Sequence, residues 1–187
     1  MERSTANIRD ALREGLIGRV CIVGVGNRQR GDDGAGPSVI DARRGGTRGD
    51  WVDAGMAPEN FLEPIARANP DTILIVDAVD FGGFPGDCRM MDAAAMDMVV
   101  LSTHAGSLGI LGEYLRVRTG AKIHVIGIQP ERIDTREGLS HHVEASVRDL
   151  TAMLSDLLDP ANNNQAESSF QLARAKSSKG RAMNRRC

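Results

Sequence analysis

The chain alternates between apolar runs and segments whose apolar residues recur at helical spacing. Three runs are almost continuously apolar and rich in β-branched residues: Val20–Val25, Ile73–Val76 and Ile123–Ile128. Such runs are typical of strands that are covered on both faces of a parallel sheet. Trp51–Asp53 predicts a further, short strand, and Cys88–Met91, which follows a glycine-rich turn, predicts an edge strand.

Five segments predict helices, because their apolar residues lie three or four positions apart. They are marked by Ile8–Leu16, Pro37–Ile40, Pro58–Ala66, Leu108–Leu115 and Val143–Leu157. Asn69 and Pro70 should end the third helix. Gly120 should cap the C-terminus of the fourth helix, and Ser140 should cap the N-terminus of the fifth. Helices and strands therefore alternate along most of the chain.

This alternation predicts an α/β fold, a single three-layer domain with a mostly parallel twisted sheet and helices on both faces. With 187 residues, of which 41% are hydrophobic, the chain is long enough for one such domain. We place it at residues 19–158, after an N-terminal helical extension, residues 1–18, and before a tail, residues 159–187. In such folds the ligand crevice opens at the carboxyl ends of the strands, so the loops after Val25 and Val76 should lie near one another.

The tail is basic, although the whole chain has a formal net charge of −2. Residues 160–187 carry six lysines and arginines against one acidic residue, Glu167. Their composition of Asn, Ser and Lys lacks apolar periodicity. It is typical of a disordered, solubilising end, rather than of a site for nucleic acid or for an acidic partner.

The composition argues against a secreted or membrane protein. No segment approaches the roughly 20 uninterrupted apolar residues that span a bilayer. The first helix is charged and does not resemble a signal peptide. Cys21, Cys88 and Cys187 lie far apart, without metal-ligand spacing, and we interpret them as reduced thiols. We therefore expect the protein to be cytoplasmic.

The loop Gly24–Gly36 follows the first predicted strand and begins like a dinucleotide-binding fingerprint. The third glycine of that fingerprint is replaced by Gln29, and Asp32 and Asp33 occupy the approach to the next helix. A pyrophosphate needs backbone N–H groups and positive potential at that place, so the acidic pair argues against a nucleotide site. The structural alternative is that one aspartate caps the helix at Pro37 and the other is solvated.

A further acid and a histidine follow later strands. Asp77 comes directly after an aliphatic strand, so we expect it to be half-buried and to need a partner, either a cation or neighbouring backbone in the turn Asp77–Asp80. His104 stands before a helix, where a lone histidine is typically a cap or a surface group. We assign His124, His141 and His142 to structural positions. Two carboxylates and one imidazole from separate loops can nevertheless bind a divalent transition metal.

Short motifs at the ends of the predicted strands follow one another in a fixed order. They are Val23–Asn27 with Gly31–Pro37, Asp53–Gly55 with Ala57–Asn60, Ile75–Asp80, Ser102–His104 and Gly127–Pro130. In this order they resemble the hydrogenase maturation endopeptidases. The Ala-Pro-Glu-Asn and Gly-Ile-Gln-Pro segments resemble the branch that matures the large subunit of formate hydrogenlyase-type enzymes, of which hydrogenase 3 is an example.

The resemblance implies that Asp33, Asp77 and His104 are both the nickel-binding and the catalytic residues, with a secondary role for Asp80. It implies a nickel-dependent, aspartic-type endopeptidase that removes the C-terminal extension of a [NiFe]-hydrogenase large-subunit precursor after nickel insertion and so activates the hydrogenase. The precursor is the expected partner, and it supplies the nickel. We expect a monomer that needs neither nucleic acid nor membrane.

Two other functions remain open at this level. A non-catalytic nickel-binding chaperone or adaptor would use the same three residues, and a nucleotide-binding oxidoreductase would rest on Gly24-Val25-Gly26 alone. Within the endopeptidase interpretation, a carboxylate can activate water or the metal can polarise the scissile carbonyl. No Ser/His/Asp set, Cys/His set or zinc-protease helix motif supports a self-contained peptidase.

Overall fold

The elements of secondary structure follow one another largely as the apolar pattern predicts. The computed structural model describes residues 2–92 and 105–159, and the side chains of residues 8–91 and 111–159. The strands are β1 (Val20–Val25), β2 (Asp50–Gly55), β3 (Thr72–Ala78), β4 (Cys88–Asp92) and β5 (Lys122–Ile128). The helices are α1 (Glu2–Gly15), α2 (Ala35–Asp41), α3 (Leu62–Ala68), α4 (Ala105–Thr119) and α5 (His141–Leu157). Short 3-10 helices, Gly31–Gly34 and Pro58–Phe61, precede α2 and α3.

The strands form one sheet in the order β2-β1-β3-β5-β4. Strands β2, β1, β3 and β5 are parallel, and β4 pairs antiparallel with β5 at the edge. In the register, Gly24 lies opposite Val76, and Asp77 lies opposite Gly127. The four parallel strands therefore end on the same side of the sheet, which we call the carboxyl edge.

Helices cover both faces of the sheet, because alternate residues of the buried strands point to opposite sides. Helices α1, α2 and α5 pack on one face, against residues such as Ile22, Leu74 and Ile126. Helices α3 and α4 pack on the other face, against residues such as Val23, Ile75 and Val125. The predicted three-layer α/β fold with a mostly parallel sheet is confirmed.

The two predicted capping residues, Gly120 and Ser140, lie at the expected helix ends, but only Gly120 caps its helix in the expected way. Gly120 follows α4 with φ +68° and donates its N–H to the Arg116 carbonyl, as a C-terminal cap does. Ser140 precedes α5 at the predicted position, but its hydroxyl makes no capping hydrogen bond. Its backbone N–H donates instead to the Asp32 carboxylate, 2.6 Å away, so a distant residue holds the start of this helix.

The structure bears on some of the remaining sequence-based expectations and leaves others untested. Ile8 and Leu12 of α1 are buried in the core beside α5, so the predicted N-terminal extension packs on the sheet. Among the helices that the structure describes, none is long and apolar enough to cross a membrane. Cys187, the basic tail at residues 160–187 and His104 lie outside the described residues. The proposed domain boundaries remain predictions.

Glycine at position 36 allows α2 to lie directly on the ends of two strands. A Cβ there would lie 2.7 Å from the Val25 nitrogen and would also clash with the carbonyl oxygens of Val25 and Val76. We expect Gly36→Ala to lower the free energy of unfolding by about 1–3 kcal/mol, because the helix must move away from the sheet. Urea denaturation measures this change.

Gly112 in α4 provides the matched control, because nothing lies within 4 Å of a Cβ added there. Gly112→Ala should raise the free energy of unfolding by about 0.5–1 kcal/mol, since alanine is the better helix former. Equal effects of the two substitutions would show that the contact between α2 and the sheet is not the reason for glycine at position 36.

Candidate active site

Asp33 lies in the 3-10 helix that follows β1, at the carboxyl edge of the sheet. Its side chain is fully buried. One carboxylate oxygen accepts a hydrogen bond from the Asn27 N–H at 3.2 Å, and the Asp33 carbonyl accepts from the same N–H at 3.1 Å. Gly26 has φ +137°, and a Cβ on it would clash with the Asp33 carbonyl. The two glycine-containing motifs therefore fold onto each other and fix the position of Asp33.

Asp32 has a different role from its neighbour. It is also fully buried, and its carboxylate accepts hydrogen bonds from the backbone N–H groups of Glu131 at 2.8 Å, Arg132 at 3.0 Å and Ser140 at 2.6 Å. The alternative in which one aspartate caps α2 and the other is solvated is therefore wrong. Asp32 joins the loop after β1 to the loop between β5 and α5. Two buried carboxylates also occupy the place where a dinucleotide site needs positive potential.

Asp77 occupies the end of β3, the central strand of the sheet. The sequence predicts a half-buried side chain, but Asp77 is fully buried, because α2 and the 3-10 helix before it pack against β3. Its carboxylate accepts a hydrogen bond from the Ala78 N–H at 2.9 Å, the backbone contact that the structural alternative expected. The 3-10 helix that carries Asp33 packs against β3. The structure thus places Asp33 and Asp77 at the same edge of the sheet, on two elements that pack against each other.

His104 lies outside the described residues, but the chain that follows it is placed by the topology. Helix α4 begins at Ala105, has 15 residues, and is followed within three residues by the start of β5. A helix of this length spans about 22 Å, and a seven-residue strand spans about 23 Å. Because α4 returns the chain to the start of β5, the backbone at Ala105 lies on the side of the carboxyl edge.

Asp33 and Asp77 are the two members of the predicted nickel-binding set that the structure describes. Within residues 2–92 and 105–159, no three histidine, cysteine, aspartate or glutamate side chains lie close enough to hold a metal ion. His104 is the third member of the predicted set. Carboxylate and imidazole donors are a ligand set that suits divalent nickel.

Asp80 and Gln129 form a hydrogen-bonded pair beside this site. The Gln129 side-chain N–H donates to Asp80 at 3.0 Å, and the Gly82 N–H donates to the same oxygen at 3.1 Å. These two bonds hold the pKa of Asp80 below its usual value, with the Gln129 bond the larger cause. Gln129 belongs to the matching motif Gly127–Pro130, but no sequence pattern indicates its role. The contact joins residues 49 positions apart, so local patterns do not show it.

Arg28 joins two further elements of the loop after β1. Its guanidinium donates to Asp41 of α2 at 2.8 Å and forms an ion pair with Asp53 of β2, also at 2.8 Å. The Asp53 carboxylate in turn accepts from the Gly55 N–H at 3.1 Å. Arg28 therefore connects the first two matching motifs, a role that the sequence analysis did not assign.

The other described histidines and cysteines do not supply a nucleophile and base. His124 lies in β5, His141 is the first residue of α5, and the neighbouring His142 has its Nδ1 3.4 Å from the Glu131 carboxylate. Burial raises the pKa of the Cys21 and Cys88 thiols to about 12. Both thiols therefore stay protonated at neutral pH, and neither is a competent thiolate nucleophile.

Comparisons with known proteins agree with the architecture and with the family that the sequence resembles. The HycI family model, described as hydrogenase maturation protease, matches residues 43–157. The hydrogenase 3 maturation protease of Escherichia coli is 40% identical over 110 residues, which cover 57% of this chain and 70% of that protein.

Solved structures give the same result. The [NiFe] hydrogenase maturation protease HycI of Thermococcus kodakarensis superposes with a TM-score of 0.72 and 30% identity, covering 79% of this chain and 98% of that one. The endopeptidase HycI of Escherichia coli superposes with a TM-score of 0.65 and 27% identity, covering 74% and 90%. The chain belongs to the hydrogenase maturation protease family.

Proposed function

We propose that the protein is an endopeptidase that removes the C-terminal extension of a [NiFe]-hydrogenase large-subunit precursor after nickel insertion. The observation that carries the proposal is the pair of fully buried carboxylates, Asp33 in the 3-10 helix after β1 and Asp77 at the end of the neighbouring parallel strand β3. Carboxylates at the carboxyl edge of an α/β sheet lie where such folds bind and transform their ligands. The membership of the maturation protease family supplies the reaction class.

The nickel in this proposal belongs to the substrate. Asp33, Asp77 and His104 bind the ion that the precursor already holds, so cleavage depends on correct metal loading. Burial favours this recognition, because the attraction between a carboxylate and a divalent cation is stronger where water is excluded. Water is the attacking group: a carboxylate takes its proton, and the ion polarises the scissile carbonyl. We place the reaction in the cytoplasm, between one copy of the protein and one precursor, without nucleic acid or membrane.

The decisive experiment compares nickel-loaded and metal-free precursor. Incubation with the protein should shorten the loaded precursor at its C-terminus and leave the metal-free form intact, because only the loaded form presents nickel to the site. Mass spectrometry of the precursor measures the outcome. Equal cleavage of both forms would contradict nickel recognition. Binding of the loaded precursor without any cleavage would identify the protein as a nickel-binding adaptor instead.

A further inference from the structure

The exposed apolar side chains are distributed unevenly over the part of the surface that the structure describes. The large ones are Phe84 at 82% exposure, Val117 at 69% and Met56 at 60%. Phe84 and Met56 lie in loops at the carboxyl edge, the first between β3 and β4 and the second after β2. Val117 lies in the last turn of α4, away from that edge. In the strand order, the Asp33 and Asp77 site lies between Met56 and Phe84.

The loop that carries Phe84, Asp80–Asp87, is held by hydrogen bonds within it and to α5. We call it the Phe84 loop. Asp87 accepts from the Phe84 N–H at 3.0 Å and donates its own N–H to the Phe84 carbonyl at 2.9 Å, so the tip closes on itself. The Gly86 carbonyl accepts a hydrogen bond from the Ser146 hydroxyl of α5 at 2.5 Å. The exposed aromatic side chain of Phe84 thus belongs to a loop whose backbone is fixed by hydrogen bonds.

Gln129, which directly follows β5, holds this loop by hydrogen bonds. Its side-chain oxygen accepts hydrogen bonds from the N–H groups of Phe81 at 2.9 Å and Gly83 at 3.1 Å, while its side-chain N–H donates to Asp80. Its backbone carbonyl accepts from the Gly86 N–H at 2.8 Å. Gln129 is 6% exposed, so one buried side-chain amide accepts hydrogen bonds from two backbone N–H groups of the loop.

We propose that the Phe84 loop is a docking loop for the large-subunit precursor, with Phe84 as its apolar anchor and Gln129 as its positioning residue. The proposal rests on the proposed function and extends it to the surface around the scissile bond. A loop fixed before binding loses little conformational entropy when it docks, which is the property of an effective interface anchor. The loop begins three residues after Asp77, so a protein bound at the site must pass beside it.

The precursor is the partner that this position favours. A protein substrate presents a surface wider than the metal site, and anchors on both sides of Asp33 and Asp77 would fix the scissile bond relative to the carboxylates. An apolar contact between Phe84 and the precursor, from which water is excluded, would then stabilise the ground state and the transition state equally. Loss of such uniform binding raises KM and leaves kcat unchanged.

The test uses steady-state cleavage of nickel-loaded precursor by the full-length protein. Phe84→Ala should raise KM at least about fivefold with kcat unchanged, the scale expected for loss of an interface anchor. Val117→Ala is the matched control, because Val117 is a similarly exposed apolar residue away from the site, and it should leave KM unchanged. Thermal melting of both variants should match the parent, since each side chain is exposed.

Gln129→Ala tests the positioning role separately. It should raise KM in the same direction, and Phe84→Ala should add little to it, because the anchor is already misplaced. Hydrogen exchange at the Phe81 and Gly83 amides should become faster in Gln129→Ala and stay unchanged in Phe84→Ala. A purely structural Gln129 would lower stability without this change in KM.

Each other outcome is informative. Suppose that the parent protein cleaves the precursor and that Phe84→Ala and Val117→Ala have the same KM. The docking role of the Phe84 loop is then wrong, and the proposed function stands. If sedimentation shows a dimer that Phe84→Ala dissociates, the loop is a contact between two copies and the proposal is overturned. If the parent protein does not cleave at all, the proposed function itself fails.

Discussion

Replacement of Asp77 by asparagine will abolish detectable processing of nickel-loaded precursor and leave the protein folded. Asparagine has the same shape and can still accept the hydrogen bond that Asp77 takes from the Ala78 N–H. It lacks the negative charge that binds nickel and the basicity that takes a proton from water. Loss of a general base alone lowers a rate by about a hundredfold or more, and loss of a metal ligand adds to this.

The rate of appearance of the shortened precursor, followed by mass spectrometry, measures the effect. Asp149→Asn is a suitable control, because Asp149 is an exposed aspartate on α5 whose side chain is 62% accessible. It should process at the parental rate. His104→Ala should match Asp77→Asn. Parental activity in Asp77→Asn would show that the charge of this buried carboxylate is not used, which would remove it from the proposed site.

Replacement of Asp32 by alanine will strongly lower the free energy of unfolding. The carboxylate of Asp32 accepts hydrogen bonds from the backbone N–H groups of Glu131, Arg132 and Ser140, and its side chain is fully buried. Alanine leaves these donors without that acceptor where water cannot easily replace it. We expect a loss of about 3–5 kcal/mol in the free energy of unfolding.

Urea denaturation at neutral pH measures this loss, and Asp134→Ala provides the control. Asp134 lies in the loop between β5 and α5, its side chain is 50% accessible, and it forms a long ion pair with Arg136 at 3.8 Å. An exposed pair of this kind contributes about 0–1 kcal/mol. If Asp32→Ala were no more destabilising than Asp134→Ala, the three backbone bonds would not hold the two loops together.

The fold was largely predictable because its signals are local. The apolar run Val20–Val25 forms β1 with the predicted ends, and β5 exceeds the predicted Ile123–Ile128 by one residue. Buried parallel strands need side chains that are apolar on both faces, and that requirement appears directly in the sequence. Strand β2 is longer than Trp51–Asp53 because Asp50 and Gly55, at its two ends, also pair with β1, although Asp50 is exposed and gives no apolar signal.

The site was predictable only in its outline. The end of an apolar strand located Asp77, and a resemblance of motifs singled out Asp33 from its neighbour Asp32. Nothing in their own sequence separates these two aspartates, because both follow glycine-rich turns and both are buried. Their difference arises from what each touches: Asp32 meets a loop about a hundred residues later in the chain, while Asp33 turns back to Asn27.

The sequence by itself thus determined the alternation of strands and helices and the mostly parallel sheet, because both depend on periodicity within single segments. Only the tertiary structure decided that Asp32 holds two loops together, that Gln129 supports the Phe84 loop, and that Phe84 stands exposed at the carboxyl edge. These roles depend on contacts between segments that are distant in the chain. Such contacts form only when the sheet brings the carboxyl ends of its strands to one edge.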